Sequence, residues 1–158
     1  MVTADGRILG KGRSDYKQNA VQAAIADSGL KATPLKEWCV DWVPSQKFRD
    51  DLASSTLYVT LEPSPRAQGE ALPPITKLIE QAGIQNVVIG CPSPVPEFAY
   101  EGASALHKAG LTVRVLQPED PLHQECASLI PIYTELANTK VRMHDVCTLL
   151  WFHTPMVL

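Results

Sequence analysis

Three short apolar runs, "STLYVTLE" (55–62), "NVVIGC" (86–91) and "LTVRVL" (111–116), alternate with helical patterning, and this alternation constrains the fold more than any other feature of the chain. The β-branched and aromatic residues of the first run suit a pleated strand. The second is apolar at nearly every position, as expected of a strand covered on both faces, and the third reads as another buried strand. Between them, "PPITKLIEQAG" (73–83) has Pro73-Pro74 placed to open a helix and Gly83 placed to close it. "EFAYEGASALHKAG" (97–110) reads as a helix ended by Gly110. Strands and helices in this order, with short connections, predict parallel strands linked by helical crossovers: an α/β fold of three layers, α/β/α, around a central sheet.

The flanking segments extend this pattern. Asp5-Gly6 is a turn signal between "MVTA" and "RILGKG", which predicts a hairpin and makes the sheet mixed. "QNAVQAAIADSG" (18–29) is rich in helix formers and is expected to stop at Gly29, and from Glu119 to about Ala137 the pattern is helical again. Gly10 and Gly12 stand in a strand pattern, where a bulge or close packing is the ordinary reason for glycine. Residues 31–55 read as a long link, treated as an insertion, carrying Trp38 and Trp42. Those indoles either tuck the insertion onto the domain or form a partner-binding patch. The sequence divides into a domain over 1–140 and a tail over 141–158. The tail's "DVCTLLWFHTPMVL", with Trp151 and Phe152, is either a strand docked on the core or a segment that meets a partner.

At 158 residues the chain is long enough for one core of its own. A net charge of -3 supplies no basic field for a phosphate backbone, so no nucleic-acid partner is expected. The apolar runs are far shorter than the roughly 20 residues of a membrane span. "MVTADGRILG" lacks the basic and apolar regions of a secretory signal, which favours an intracellular location, cytoplasm or organelle interior. Cys39, Cys91, Cys126 and Cys147 include no CxxC pair and suit free thiols in a reducing compartment.

Four stretches carry a family resemblance: "TLEP" (60–63), "PP" (73–74), "AGIQNVVIG" (82–90) and "AGLTV" (109–113). With the elements around them, over roughly residues 2 to 117, they resemble the deaminase domain of RibD-type riboflavin-biosynthesis enzymes, within the cytidine-deaminase-like superfamily. In that family one His and two Cys hold Zn²⁺ with a position open for water, and a Glu two residues after the His carries protons. The resemblance places the His at Asn19, the Glu at Val21, the first Cys at Ser64 and the second at Ile75, so no catalytic residue, metal ligand or cofactor is expected here. Apolar Val21 and Ile75 would fill the emptied cavity. The resemblance implies a degenerate deaminase domain serving as a structural, interaction or oligomerisation module, like the N-terminal domain of plant-type riboflavin reductases. A homo-oligomer or a place in a larger assembly is expected on that basis, as is a plastid as one location. The stretch after about residue 140 is too short for a fused reductase, so the chain reads as a free-standing domain, a fragment or a shortened form.

Two other functions compete. Asn19, Ser64 and Arg66 could hydrogen-bond a base or phosphate, making the domain a metal-free nucleotide or pyrimidine binder. Alternatively, His123 and Cys126, with His144 and Cys147, form two His-x-x-Cys pairs that could together supply a Cys₂His₂ zinc set for a hydrolase. His107 reads as a surface residue, and Ser64, without a triad partner, as a turn or capping residue.

Overall fold

A computed structural model of the chain describes residues 1–14, 18–28, 45–67 and 73–130. Strands β1 (Thr56–Leu61), β2 (Asn86–Cys91) and β3 (Thr112–Val115) form a parallel sheet in the order β1-β2-β3. The register runs Tyr58 to Val88 to Arg114 and Val59 to Ile89 to Val115 across the sheet. The hairpin closes at an antiparallel bridge between Val2 and Ile8, and Val2 also bridges antiparallel to Thr56; these are isolated bridges, and the described strands themselves form a parallel sheet where a mixed one was expected. Gly6 makes the turn at φ +83°, a backbone angle that a side chain would strain.

Helices α1 (Ala20–Asp27), α2 (Gln46–Ala53), α3 (Ile75–Ala82) and α4 (Glu101–Lys108) contribute to one core. Ile25, Leu52, Leu78, Ile79 and Leu106 are buried there with Leu57, Val87 and Ile89 of the sheet. Each such side chain is worth about 1.5–3 kcal/mol when fully removed from water. Helix α5 (Pro121–Ser128) lies on the other face, its Cys126 Sγ so close over Gly90 that a Cβ there would be 2.4 Å away. Gly90 alternates with core-facing Ile89, so α5 forms the third layer.

The start and stop of α3 and the stop of α4 follow the proline and glycine signals read from the sequence. Pro74 precedes α3, and Gly83 ends it at φ +83°. Gly110, after α4, has φ +89°. Asp120 caps α5, accepting the Leu122 N–H at 2.9 Å, with Pro121 at the first helical position. Gly29 and residues 131–137 lie outside the described residues, as do Trp38, Trp42, Trp151 and Phe152.

Four further expectations need correction. The helix expected from Glu119 to about Ala137 stops early, since α5 ends at Ser128 with Leu129 as its C-cap. Residues 31–55 are not all link: Gln46–Ala53 is helical, capped by Ser45 Oγ accepting the Phe48 N–H at 3.3 Å. Phe48 and Leu52, four residues apart on one helix face, supply its buried stripe. Strand β3 is not buried throughout. Among the described strands it has one neighbour, and Thr112 and Arg114 are exposed while Val113 and Val115 pack against the core. The segment 97–110 is not one helix either: Pro96–Phe98 form a 3-10 turn, and Tyr100, at φ +66°, breaks the chain before α4 begins at Glu101.

Gly10 and Gly12 are explained by close approach. A Cβ on Gly12 would lie 2.0 Å from the Ala20 carbonyl oxygen, and one on Gly10 would lie 2.1 Å from that of Ala24. The segment after the hairpin therefore rests directly on the α1 backbone. Gly12→Ala should lower the unfolding free energy by about 1–3 kcal/mol, the usual cost of overpacking, as read from a urea melt.

Candidate functional site

The carboxyl end of β1 runs into Glu62-Pro63-Ser64, and of the four residues assigned to the family's zinc site, Ser64 stands in this loop, Ile75 at the start of α3, and Asn19 and Val21 at the start of α1. Asn19 is the N-cap of α1. Its Oδ1 accepts the Gln22 N–H at 2.9 Å, and the Gln22 Oε1 accepts the Asn19 N–H at 3.0 Å, a reciprocal capping box. Val21, 4% exposed, belongs to the main core, and Ile75, the first residue of α3, is partly buried and packs against that core.

Ser64 is a turn residue. Its Oγ accepts the Arg66 N–H at 3.1 Å, and its carbonyl oxygen accepts the Thr76 N–H at 3.3 Å, tying the loop after β1 to the first turn of α3. Ser64 is thus brought beside the start of α3, where Ile75 sits. Arg66 turns to α4: its Nη2 lies 3.1 and 3.0 Å from the two Glu101 carboxylate oxygens, and its guanidinium stacks 4.0 Å above the Phe98 ring. A depression of about 250 Å³ lies nearby, lined by Pro65, Pro74, Thr76, Lys77, Glu80, Ala105 and Ala109. Its lining includes none of Asn19, Ser64 and Arg66.

The most connected group here is one that the sequence reading passed over. Glu62 is 9% exposed, and its carboxylate accepts three backbone N–H groups: Ser93 at 2.8 Å and Tyr100 at 2.9 Å on Oε2, and Ala103 at 2.9 Å on Oε1. These come from the loop after β2, the residue before α4 and the first turn of α4. One charge thereby satisfies donors that a helix start leaves open and sits where the helix dipole favours an anion. Gly102 makes the approach feasible, since a Cβ there would lie 2.0 Å from the Pro63 carbonyl oxygen. The signal in the sequence was only a carboxylate between a strand and a proline, with a glycine forty residues on.

The late His and Cys residues are only partly described. His123 and Cys126 share a face of α5; the His123 Nδ1 is buried without a hydrogen-bond partner among the described residues. His144 and Cys147 lie outside the described residues. Among those that are described, no group of three or more His, Cys, Asp or Glu is placed to hold a metal ion. Cys91, at the end of β2, donates to the Thr60 carbonyl oxygen at 3.0 Å, and burial, followed by the neighbouring Cys126, pushes its thiol up to about 11. Burial also raises the Cys126 thiol, with Glu125 and Asp120 adding to the effect.

The chain and its fold are similar to known proteins. The chain is 38% identical over 92 residues to the riboflavin biosynthesis protein RibD of Actinobacillus pleuropneumoniae, and 47% identical over 66 residues to that of Synechocystis sp.. The chain is similar to part of RibD. These alignments cover 58% and 42% of this chain but only 23% and 17% of the two relatives. Among solved structures, RibD of Acinetobacter baumannii superimposes with a TM-score of 0.63 at 23% identity, over 87% of this chain and 32% of that one. A Thermotoga maritima diaminohydroxyphosphoribosylaminopyrimidine deaminase/5-amino-6-(5-phosphoribosylamino)uracil reductase gives 0.61 at 26% identity, over 88% of this chain and 33% of that one. No family model matches the chain. Among the described residues, no helix of this RibD-like fold is long and apolar enough to cross a membrane.

Three measurements test this geometry. Glu62→Gln removes the charge and turns an amide N–H₂ toward backbone donors, so it should cost about 2–4 kcal/mol in a denaturant melt. Arg66→Ala, which breaks an exposed ion pair, should cost less than about 1 kcal/mol. For Cys91, an unfolded thiol ionises near about 8.5. As pH rises from there to about 11, the unfolded chain releases a proton that the folded chain keeps, so stability is lost across that window. The loss should be shallower in Cys91→Ala, read as the difference between the two proteins' denaturation midpoints.

Proposed function

We propose that this RibD-like domain is a retired deaminase, kept for structural or interaction purposes and not for zinc chemistry. The observation that carries the reading is what has become of the atoms at the four positions where the family resemblance puts the metal ligands and the proton carrier. Val21 and Ile75 carry no donor and belong to apolar packing. Asn19 Oδ1 and Ser64 Oγ, weak zinc donors beside imidazole and thiolate, each accept a backbone N–H. Such a set does not fit Zn²⁺, and no side chain there can move a proton.

The surrounding scaffold, by contrast, is intact. The parallel sheet, the proline start of α3 and the Glu62 anchor all hold the loops in place. A fold maintained without its reactive groups acts through its surfaces, as an oligomerisation module or as an accompaniment to another domain or subunit of a riboflavin-biosynthesis type of protein. The competing reading, a nucleotide or pyrimidine binder using Asn19, Ser64 and Arg66, has less support, because each already has a polar partner within the domain.

Elemental analysis of the purified, dialysed chain, with its mass in solution by light scattering, tests the proposal. The expected result is well under about 0.1 zinc per chain and a mass above that of the monomer. Stoichiometric zinc would overturn the reading and direct attention to His123, Cys126, His144 and Cys147. As a positive counterpart, the combined variant Asn19→His, Val21→Glu, Ser64→Cys and Ile75→Cys should gain zinc that the natural chain does not hold.

A further inference from the structure

We infer that the Asp5-Gly6 turn is a modification site, where the aspartyl link converts spontaneously to isoaspartyl at a rate that the folded hairpin holds down. Asp5 is the one Asp or Asn in the chain that is followed by Gly. Both residues of the turn are exposed, so water reaches them. Gly6 presents its amide nitrogen with no side chain beside it, and nothing lies within 4 Å of where its Cβ would be.

The chemistry is a condensation followed by a hydrolysis. The Gly6 nitrogen attacks Cγ of the protonated Asp5 carboxyl, an N–Cγ bond closes a succinimide ring, and the carboxyl OH leaves with the nitrogen's proton as water. Water then adds to one of the two ring carbonyls. Opening at Cγ restores aspartate. Opening at the backbone carbonyl carbon leaves the main chain running through Cγ, one methylene longer than before, with no net gain or loss of atoms.

The contacts of the hairpin oppose the first step. The Gly6 N–H donates to the Thr3 carbonyl oxygen at 3.0 Å, which ties the attacking nitrogen across the turn. Asp5 Oδ1 accepts from the Thr3 hydroxyl and lies 3.4 Å from the Arg7 amide nitrogen, so the carboxylate is held between the two arms. The Thr3 hydroxyl, followed by the Arg7 N–H, keeps the Asp5 carboxyl below its ordinary pKa, and the ionised form has a far poorer leaving group than the acid. These contacts need the arms to be paired, through the Thr3 N–H donating to the Arg7 carbonyl oxygen at 2.9 Å and the bridge between Val2 and Ile8. Opening of the hairpin is therefore what releases the reaction. The lengthened turn no longer fits this register, so the change loosens the bridge from Val2 to Thr56 at the margin of the sheet.

Peptide mapping by mass spectrometry with electron-transfer fragmentation, which separates isoaspartyl from aspartyl, tests this on the full chain incubated at one pH and temperature with and without urea. Isoaspartate at residue 5 should form at least about tenfold faster in urea, as follows if the hairpin is open in under about a tenth of native molecules. Thr3→Val keeps the branched side chain and removes the hydroxyl. It should speed the reaction about threefold to tenfold without urea, the factor that one hydrogen bond contributes, and leave the rate in urea unchanged. Equal rates with and without urea, or no isoaspartate at residue 5 in urea, would overturn the inference. So would a Thr3→Val chain that isomerises without urea no faster than the natural one. Acceleration by that substitution in urea as well would assign the effect to the neighbouring sequence and not to the hairpin, and overturns it too.

Discussion

The buried carboxylate of Glu62 sets the geometry on which the other loops depend. By accepting N–H groups from Ser93, Tyr100 and Ala103, it joins the end of β1 to the loop after β2 and to the start of α4. A buried charge is tolerated only when its hydrogen-bonding capacity is filled, and here backbone donors fill it. The left-handed Tyr100 and the close contact of Gly102 with Pro63 are consequences of bringing that backbone within reach.

Under the proposed reading, this anchor holds the loops in place with no metal at the positions the resemblance assigns to zinc. The neighbouring positions are secured by ordinary means: a capping box at Asn19, an apolar core at Val21 and Ile75, and a serine turn at Ser64. Each satisfies a local backbone or packing requirement. The nearby depression between α3 and α4 is lined by other residues. Structural likeness to RibD and the proposed loss of its chemistry are therefore compatible, because scaffold and ligands are held by different residues.

The periodicity of the sequence was a good guide wherever local rules govern. The turn at Gly6 and the helix stops at Gly83 and Gly110 appear where the glycines stand, since few other residues take those backbone angles. The reading failed where the deciding partner is distant. Helix α2 was hidden in a charged stretch whose only apolar signal is Phe48 and Leu52. The break at Tyr100 depends on a carboxylate thirty-eight residues earlier, and the exposure of β3 depends on its position at the edge of the described sheet.

The sequence by itself determined the α/β class, the turn at Gly6, the helix stops at Gly83 and Gly110 and the identity of the residues at the four assigned positions, because these follow from local backbone preference and side-chain chemistry. Only the tertiary structure decided that Glu62 is the central fastener and that Arg66 is taken up by Glu101 and Phe98. Those outcomes rest on groups far apart in the chain meeting in space, and no local pattern records where a hydrogen bond or a packed face will find its partner.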